Sequence, residues 1–154
     1  MAYAYFDTSA LIKRYVEELG RREVLTLLRK NQCVVSAVLP VEVRSALRRR
    51  VAEKTLDAKR VPAILKRLAA DRAYWTIIEV SREVLATAES LSGAHPLRAL
   101  DAIHVASAKL FGDRTASQTF TFVSADAQQT HVAEALGINS QYIGSYVAMT
   151  SGNE

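Results

Sequence analysis

The chain has 154 residues, 49% of them apolar and 23% charged, with a formal net charge of +4. This is the composition of one soluble globular domain, long enough to bury a sizeable core. Its single Cys rules out an intramolecular disulfide and a thiolate metal cluster, as suits a reducing compartment. No apolar run approaches the ~20 residues a bilayer demands, and the N-terminus lacks the order of a signal peptide, so a cytoplasmic location is expected.

In chain order, Ala2-Tyr3-Ala4-Tyr5-Phe6 predicts a strand closed by Asp7. Helices are expected over 10–17 and 20–30, the second with Val24, Leu25, Leu27 and Leu28 along one face. Cys33-Val34-Val35-Ser36 reads as a short buried strand. Pro40 then opens a helix, in whose first turn a missing N–H costs nothing, running to about Glu53. A second basic helix is expected over 57–71, with Pro62 in its first turn or kinking it.

Residues 76–80 are β-branched and strand-like, and Ser81 caps a helix over 82–92 that ends near Gly93. A helix over about 99–111 is stopped by Gly112. Phe120-Thr121-Phe122-Val123 is a strand, 127–136 a helix ended by Gly137, and Tyr142-Ile143 a last short strand. The tail over 147–154 reads as frayed. Strands separated by helices imply an α/β fold: a single domain over 1–146, with a parallel sheet of four to five strands flanked by helices. The strand C-terminal ends then share one edge, which brings Asp7 and Asp126 together.

Charge is unevenly spread. The segment from Arg44 to Arg72 holds ten basic and three acidic residues, so it carries +7 and the remainder −3. A basic helical hairpin near 40–71 attached to an acidic body is what a polyanion-binding protein with a cation-filled pocket would show; a solvated helical face accounts for the same charges.

Four acids stand at strand–helix junctions or helix starts: Asp7, Glu42, Asp101 and Asp126. Each alone has a capping or helix-dipole explanation. Together at one sheet edge they repel, and a divalent cation relieves that repulsion. Oxygen-only ligands select Mg²⁺ or Mn²⁺ over Zn²⁺, and such an ion can activate water against a phosphodiester. His104, one turn after Asp101, is read as a packed or capping histidine rather than a ligand. Tyr74 and Trp75 are read as core before base-stacking residues.

The segments Tyr5-Phe6-Asp7-Thr8-Ser9-Ala10-Leu11, Ser36-Ala37-Val38-Leu39-Pro40-Val41-Glu42, Leu100-Asp101-Ala102-Ile103-His104-Val105-Ala106 and Phe122-Val123-Ser124-Ala125-Asp126 resemble the PIN-domain family. More narrowly, they resemble the VapC-type toxin ribonucleases of prokaryotic toxin–antitoxin pairs. The resemblance implies a PIN-like nuclease domain and a metal-dependent endoribonuclease that leaves a 5′-phosphate. Asp7, Glu42, Asp101 and Asp126 would be the metal-binding, catalytic acids, with Ser9 and Ser124 in support. Many relatives carry Thr at the position of Ser124, and several carry a further acid where Ala127, Gln128 and Gln129 follow here.

Arg44, Arg48, Arg49, Lys54 and Arg60 would grip RNA phosphates beside the pocket. The resemblance also implies a small antitoxin partner and a toxin homodimer; Leu11, Tyr15, Leu25 and Leu28 could serve such an interface or the core. Competing readings are a phosphotransfer domain on a similar sheet, which lacks its expected second acid at Ser9, and a non-catalytic RNA-binding or regulatory module.

Overall fold

A computed structural model describes residues 2–116 and 118–144. Its centre is a five-stranded, all-parallel sheet of β1 (Tyr3–Phe6), β2 (Gln32–Ser36), β3 (Thr76–Ile78), β4 (Phe120–Ser124) and β5 (Ser140–Tyr142), in the order β3-β2-β1-β4-β5. Among the described residues seven helices flank it: α1 (Thr8–Leu11), α2 (Arg21–Lys30), α3 (Leu39–Ala52), α4 (Val61–Asp71), α5 (Arg82–Ala94), α6 (Ala99–Arg114) and α7 (Ala127–Ala135). The tail over 147–154 lies outside the described residues.

Strand alternation divides the core. Ala4 and Phe6 of β1 face one layer with Leu11, Val35, Leu39, Leu47 and Leu68, beneath α1 to α4. Tyr5, on the opposite face, packs with Val34 and Phe122 against Val84, Leu91, Val105 and Val132 of α5, α6 and α7. With both faces covered, the strands read as nearly continuous apolar runs.

The chain leaves β1 for β2 and β3 on one side, then crosses to β4 and β5 on the other. The strand order therefore reverses between β1 and β4. Ligands of open α/β sheets gather in the crevice at the carboxyl ends of such strands.

Several boundaries differ from expectation. The helix expected over 10–17 starts at Thr8, because the Asp7 carboxylate caps it by accepting from Ala10 N–H at 3.1 Å. It tightens after Leu11 into a 3₁₀ turn (Ile12–Arg14), and the Tyr15 hydroxyl is drawn to Asp71 at 2.7 Å. The third strand stops at Ile78 rather than 80, opposite Ser36, the last residue of its partner β2. The last strand covers Ser140–Tyr142, in register with β4 from Phe122, instead of 142–143.

Gly112 does not stop α6, which continues to Arg114. A Cβ there would lie 3.0 Å from the Phe120 ring, so the glycine lets β4 pack closely against the helix. Pro62 lies in the first turn of α4 and kinks nothing. The basic hairpin is present as α3 and α4, joined through a 3₁₀ turn at Ala58–Arg60.

Candidate active site at the carboxyl edge of the sheet

The four acids line one cleft of about 220 Å³, together with Thr8, Ser9, Ile12, Ala46, Arg49, Arg50, His104 and Gln129. Asp7 enters from the end of β1, Glu42 from the first turn of α3, Asp101 from the first turn of α6, and Asp126 from the cap of α7. Two helix caps and two first-turn acids thus converge at the point where the strand order reverses.

Asp7 is 1% exposed. Ser9 Oγ lies 2.8 Å from both its carboxylate oxygens, and Ser124 Oγ donates to Oδ2 at 3.0 Å. Burial pushes the Asp7 carboxyl above its ordinary range, although His104, the two serines and Ala10 N–H oppose the shift. Ser9 Oγ also accepts from Ala125 N–H at 3.0 Å, which ties the ends of β1 and β4 together. Both serines therefore support Asp7 directly.

Glu42 Oε1 accepts from Thr8 Oγ1 at 2.8 Å and from His104 Nε2 at 2.6 Å. Burial opposes ionisation of Glu42, but these two hydrogen bonds prevail and hold it below the usual carboxylate range. Asp101 Oδ1 accepts from Gln129 Nε2 at 2.9 Å. Burial, and then the Asp126 charge, raise the Asp101 carboxyl. Asp126 Oδ1 accepts from Gln128 N–H at 2.8 Å and Gln129 N–H at 3.1 Å.

His104 and Gln129 were not expected in the site. His104 is packed, as read from the sequence, but it also holds Glu42. Its position three residues after Asp101 put it on the same face of α6, which was the available signal. Gln129 carried the weaker signal of following Asp126 at capping-box spacing.

Among the described residues, no group of three Asp, Glu, His or Cys side chains is gathered tightly enough to enclose an ion. The carboxylates instead turn to hydroxyl, imidazole and amide donors. The donor set still fits a hard divalent cation. It offers four carboxylates on one cleft, no thiolate, and a histidine with both ring nitrogens engaged. Gln129, whose buried Oε1 has no hydrogen-bond partner among the described residues, also lines the cleft.

The basic residues are dispersed over several surfaces. Arg49 and Arg50 line the acid cleft, and Arg50 Nε is paired with Glu18 at 2.5 Å. Arg44 and Arg48 edge a separate groove floored by Leu47, Val51 and Leu65. Arg60 lines a cavity of about 550 Å³ with Arg14, Arg21, Lys59 and Arg67. Lys54 stands in the connection after α3, at φ +60°. Leu11 and Tyr15 are core, whereas Leu25 and Leu28 line a cavity of about 440 Å³ with Trp75 and Tyr74, the latter 81% exposed.

The family model for the PIN domain matches residues 4–135. Among solved structures, the fold is similar to a toxin–antitoxin complex from Klebsiella pneumoniae, at 20% identity, 82% of this chain, 88% of that one and a TM-score of 0.60. It is similar to FitAcB from Neisseria gonorrhoeae, at 16% identity, 89% of this chain, 95% of that one and a TM-score of 0.64. VapBC2 from Rickettsia felis, bound to a DNA fragment from its promoter, matches at 13% identity, 92% of this chain, 99% of that one and a TM-score of 0.61. Likeness at such identities is a likeness of fold. No curated protein matches the sequence. The structural neighbours share the parallel-sheet frame, and the family match spans the segments that carry all four acids: the chain belongs to the PIN-domain family.

Proposed function

We propose that this chain is a metal-dependent endoribonuclease of the VapC toxin type, the toxin partner of a small antitoxin. The observation that carries it is the convergence of Asp7, Glu42, Asp101 and Asp126 on one cleft between β1 and β4. These four residues would hold Mg²⁺ or Mn²⁺. Bound there, the ion supplies polarisation of the phosphodiester and activation of water for in-line attack.

The chain's own residues do the rest. Ser9 and Ser124 fix the Asp7 carboxylate, and Thr8 with His104 fixes Glu42. Arg49, which lines the cleft, would meet a phosphate. Arg21, Lys59, Arg60 and Arg67, around the cation-lined cavity, would hold the RNA backbone away from the cleft. Nothing in this scheme uses the 2′-OH, so DNA is a chemically admissible substrate.

The toxin–antitoxin neighbours support an antitoxin partner, which would occlude the cleft and place an Arg among the carboxylates; a toxin homodimer belongs to the same reading. Among the described residues no helix is long and apolar enough to cross a membrane.

The test compares wild type with Asp7→Asn and Asp101→Asn, free of any co-purified partner, on a pool of structured RNAs with Mn²⁺, Mg²⁺ or EDTA. Ion-dependent cleavage that disappears in both variants is the expected result. RNA binding without cleavage, equal in all three proteins, would overturn it in favour of a non-catalytic binding module. That second reading draws on the absence of a closed three-acid cluster among the described residues.

A further inference from the structure

Gln129 is the third residue of α7 behind its cap, Asp126. At that spacing a Gln side chain ordinarily turns back to the cap residue's own N–H. Here it does not. Asp126 N–H donates to Ser124 Oγ at 2.9 Å, and Gln129 Nε2 reaches across to Asp101 Oδ1 at 2.9 Å. The backbone N–H of the same residue donates to Asp126 Oδ1 at 3.1 Å. One residue therefore donates to two of the four acids, one from its side chain and one from its main chain.

The arrangement is costly to the fold. Gln129 is 3% exposed, and its Oε1 has no hydrogen-bond partner among the described residues. A buried amide with half its capacity unmet is less favourable than an apolar side chain of the same size. Local capping does not explain the amide, since Ser124 already serves the Asp126 N–H. What the amide does is orient the Asp101 carboxylate.

We infer that Gln129 is a positioning residue for cation binding, its amide holding Asp101 in register with Asp126 so that two repelling carboxylates can share one divalent ion. The inference rests on the metal-dependent nuclease reading and deepens it. It concerns a residue that acts through Asp101 and does not require Gln129 to touch the ion or the RNA.

The test uses the full chain and Gln129→Met, which keeps the volume and removes both polar atoms; Gln129→Leu serves the same comparison should Met fail to fold. In metal-free buffer the variant should melt at the wild-type temperature or roughly 2–5 °C above it, because the unmet oxygen is gone. Mn²⁺ titrated calorimetrically should bind at least about tenfold more weakly, the usual scale for losing a partner of a metal ligand. On RNA, kcat should fall while KM is unchanged.

In an Asp101→Asn background, adding Gln129→Met should cause no further loss of Mn²⁺ affinity. Unchanged Mn²⁺ affinity in a folded single variant would overturn the inference and leave the nuclease reading standing. An undiminished loss in the Asp101→Asn background would overturn the route through Asp101. A wild-type protein that neither binds Mn²⁺ nor cleaves would overturn the nuclease reading and this inference with it.

Discussion

His104 Nε2 and Glu42 Oε1 are 2.6 Å apart, joining α6 to the first turn of α3 across 62 residues of chain. The other ring nitrogen, Nδ1, lies 2.8 Å from the Tyr5 hydroxyl on β1. A carboxylate can only accept, so Nε2 carries the proton in that bond. Burial disfavours imidazolium, but the Glu42 hydrogen bond and the Asp7 charge outweigh it and raise the His104 pKa. The pair thus anchors one wall of the cleft to the central strand.

Replacing His104 by Phe leaves Glu42 without its imidazole donor and the buried Tyr5 hydroxyl without a ring nitrogen. The expected cost is about 2–4 kcal/mol in the metal-free protein, the range for breaking a largely buried pair by removing one partner. Urea unfolding followed by circular dichroism measures it. A midpoint equal to wild type would show that the network contributes nothing to the fold.

Asp71 predicts a pH dependence remote from the cleft. Arg14 meets its carboxylate with both Nε, at 2.7 Å, and Nη2, at 3.1 Å, and the Tyr15 hydroxyl donates at 2.7 Å. Burial opposes ionisation, but these donors hold Asp71 below its ordinary value of 3.8. Its folded pKa is lower than its unfolded one, so the unfolded chain binds the proton more readily. The stabilisation is complete above about pH 4 and is lost as pH falls through the depressed value. Asp71→Asn should therefore cost about 1 kcal/mol at pH 7, a modest figure for a partly exposed pair, and progressively less below pH 4. Unfolding midpoints of both proteins between pH 7 and pH 2.5 would check it; a gap that widens in acid would contradict it.

Two glycines at positive φ separate backbone strain from steric fit. Gly20, at φ +93°, precedes α2, and a Cβ there would lie 2.5 Å from Cγ2 of the buried Ile143. Gly137, at φ +79°, has nothing within 4 Å of the same position. Gly137→Ala should cost about 1 kcal/mol from the left-handed conformation alone, and Gly20→Ala about 2–4 kcal/mol, since Ile143 must also move. Thermal melting distinguishes the two, at about 2–4 °C per kcal/mol for a chain of this length. Equal losses would mean that Ile143 yields freely.

The sheet, its helical cover and the four acids were legible in the sequence, because each leaves a local mark. β1 is an apolar run that ends on Asp7; Asp126 follows β4; Pro40 and Ser81 announce α3 and α5. Elements bounded by tertiary partners were less legible. β3 ends where Ser36 ends its partner, and Gly112, which reads as a helix stop, instead makes room within α6 for the Phe120 ring.

What the sequence by itself determined was which residues end strands and begin helices, since periodicity and capping act over a few residues. Only the tertiary structure decided that β1 lies between β2 and β4, and so that acids from four separate elements share one cleft. It alone turned His104 to Glu42 and Gln129 to Asp101, contacts spanning 62 and 28 residues. It also divided the basic hairpin, sending Arg49 to the acid cleft and Arg60 to a separate cation-lined cavity. The physical reason is common to all three. A helix or strand pattern states which face is buried, but which residue meets that face depends on packing between elements far apart in the chain.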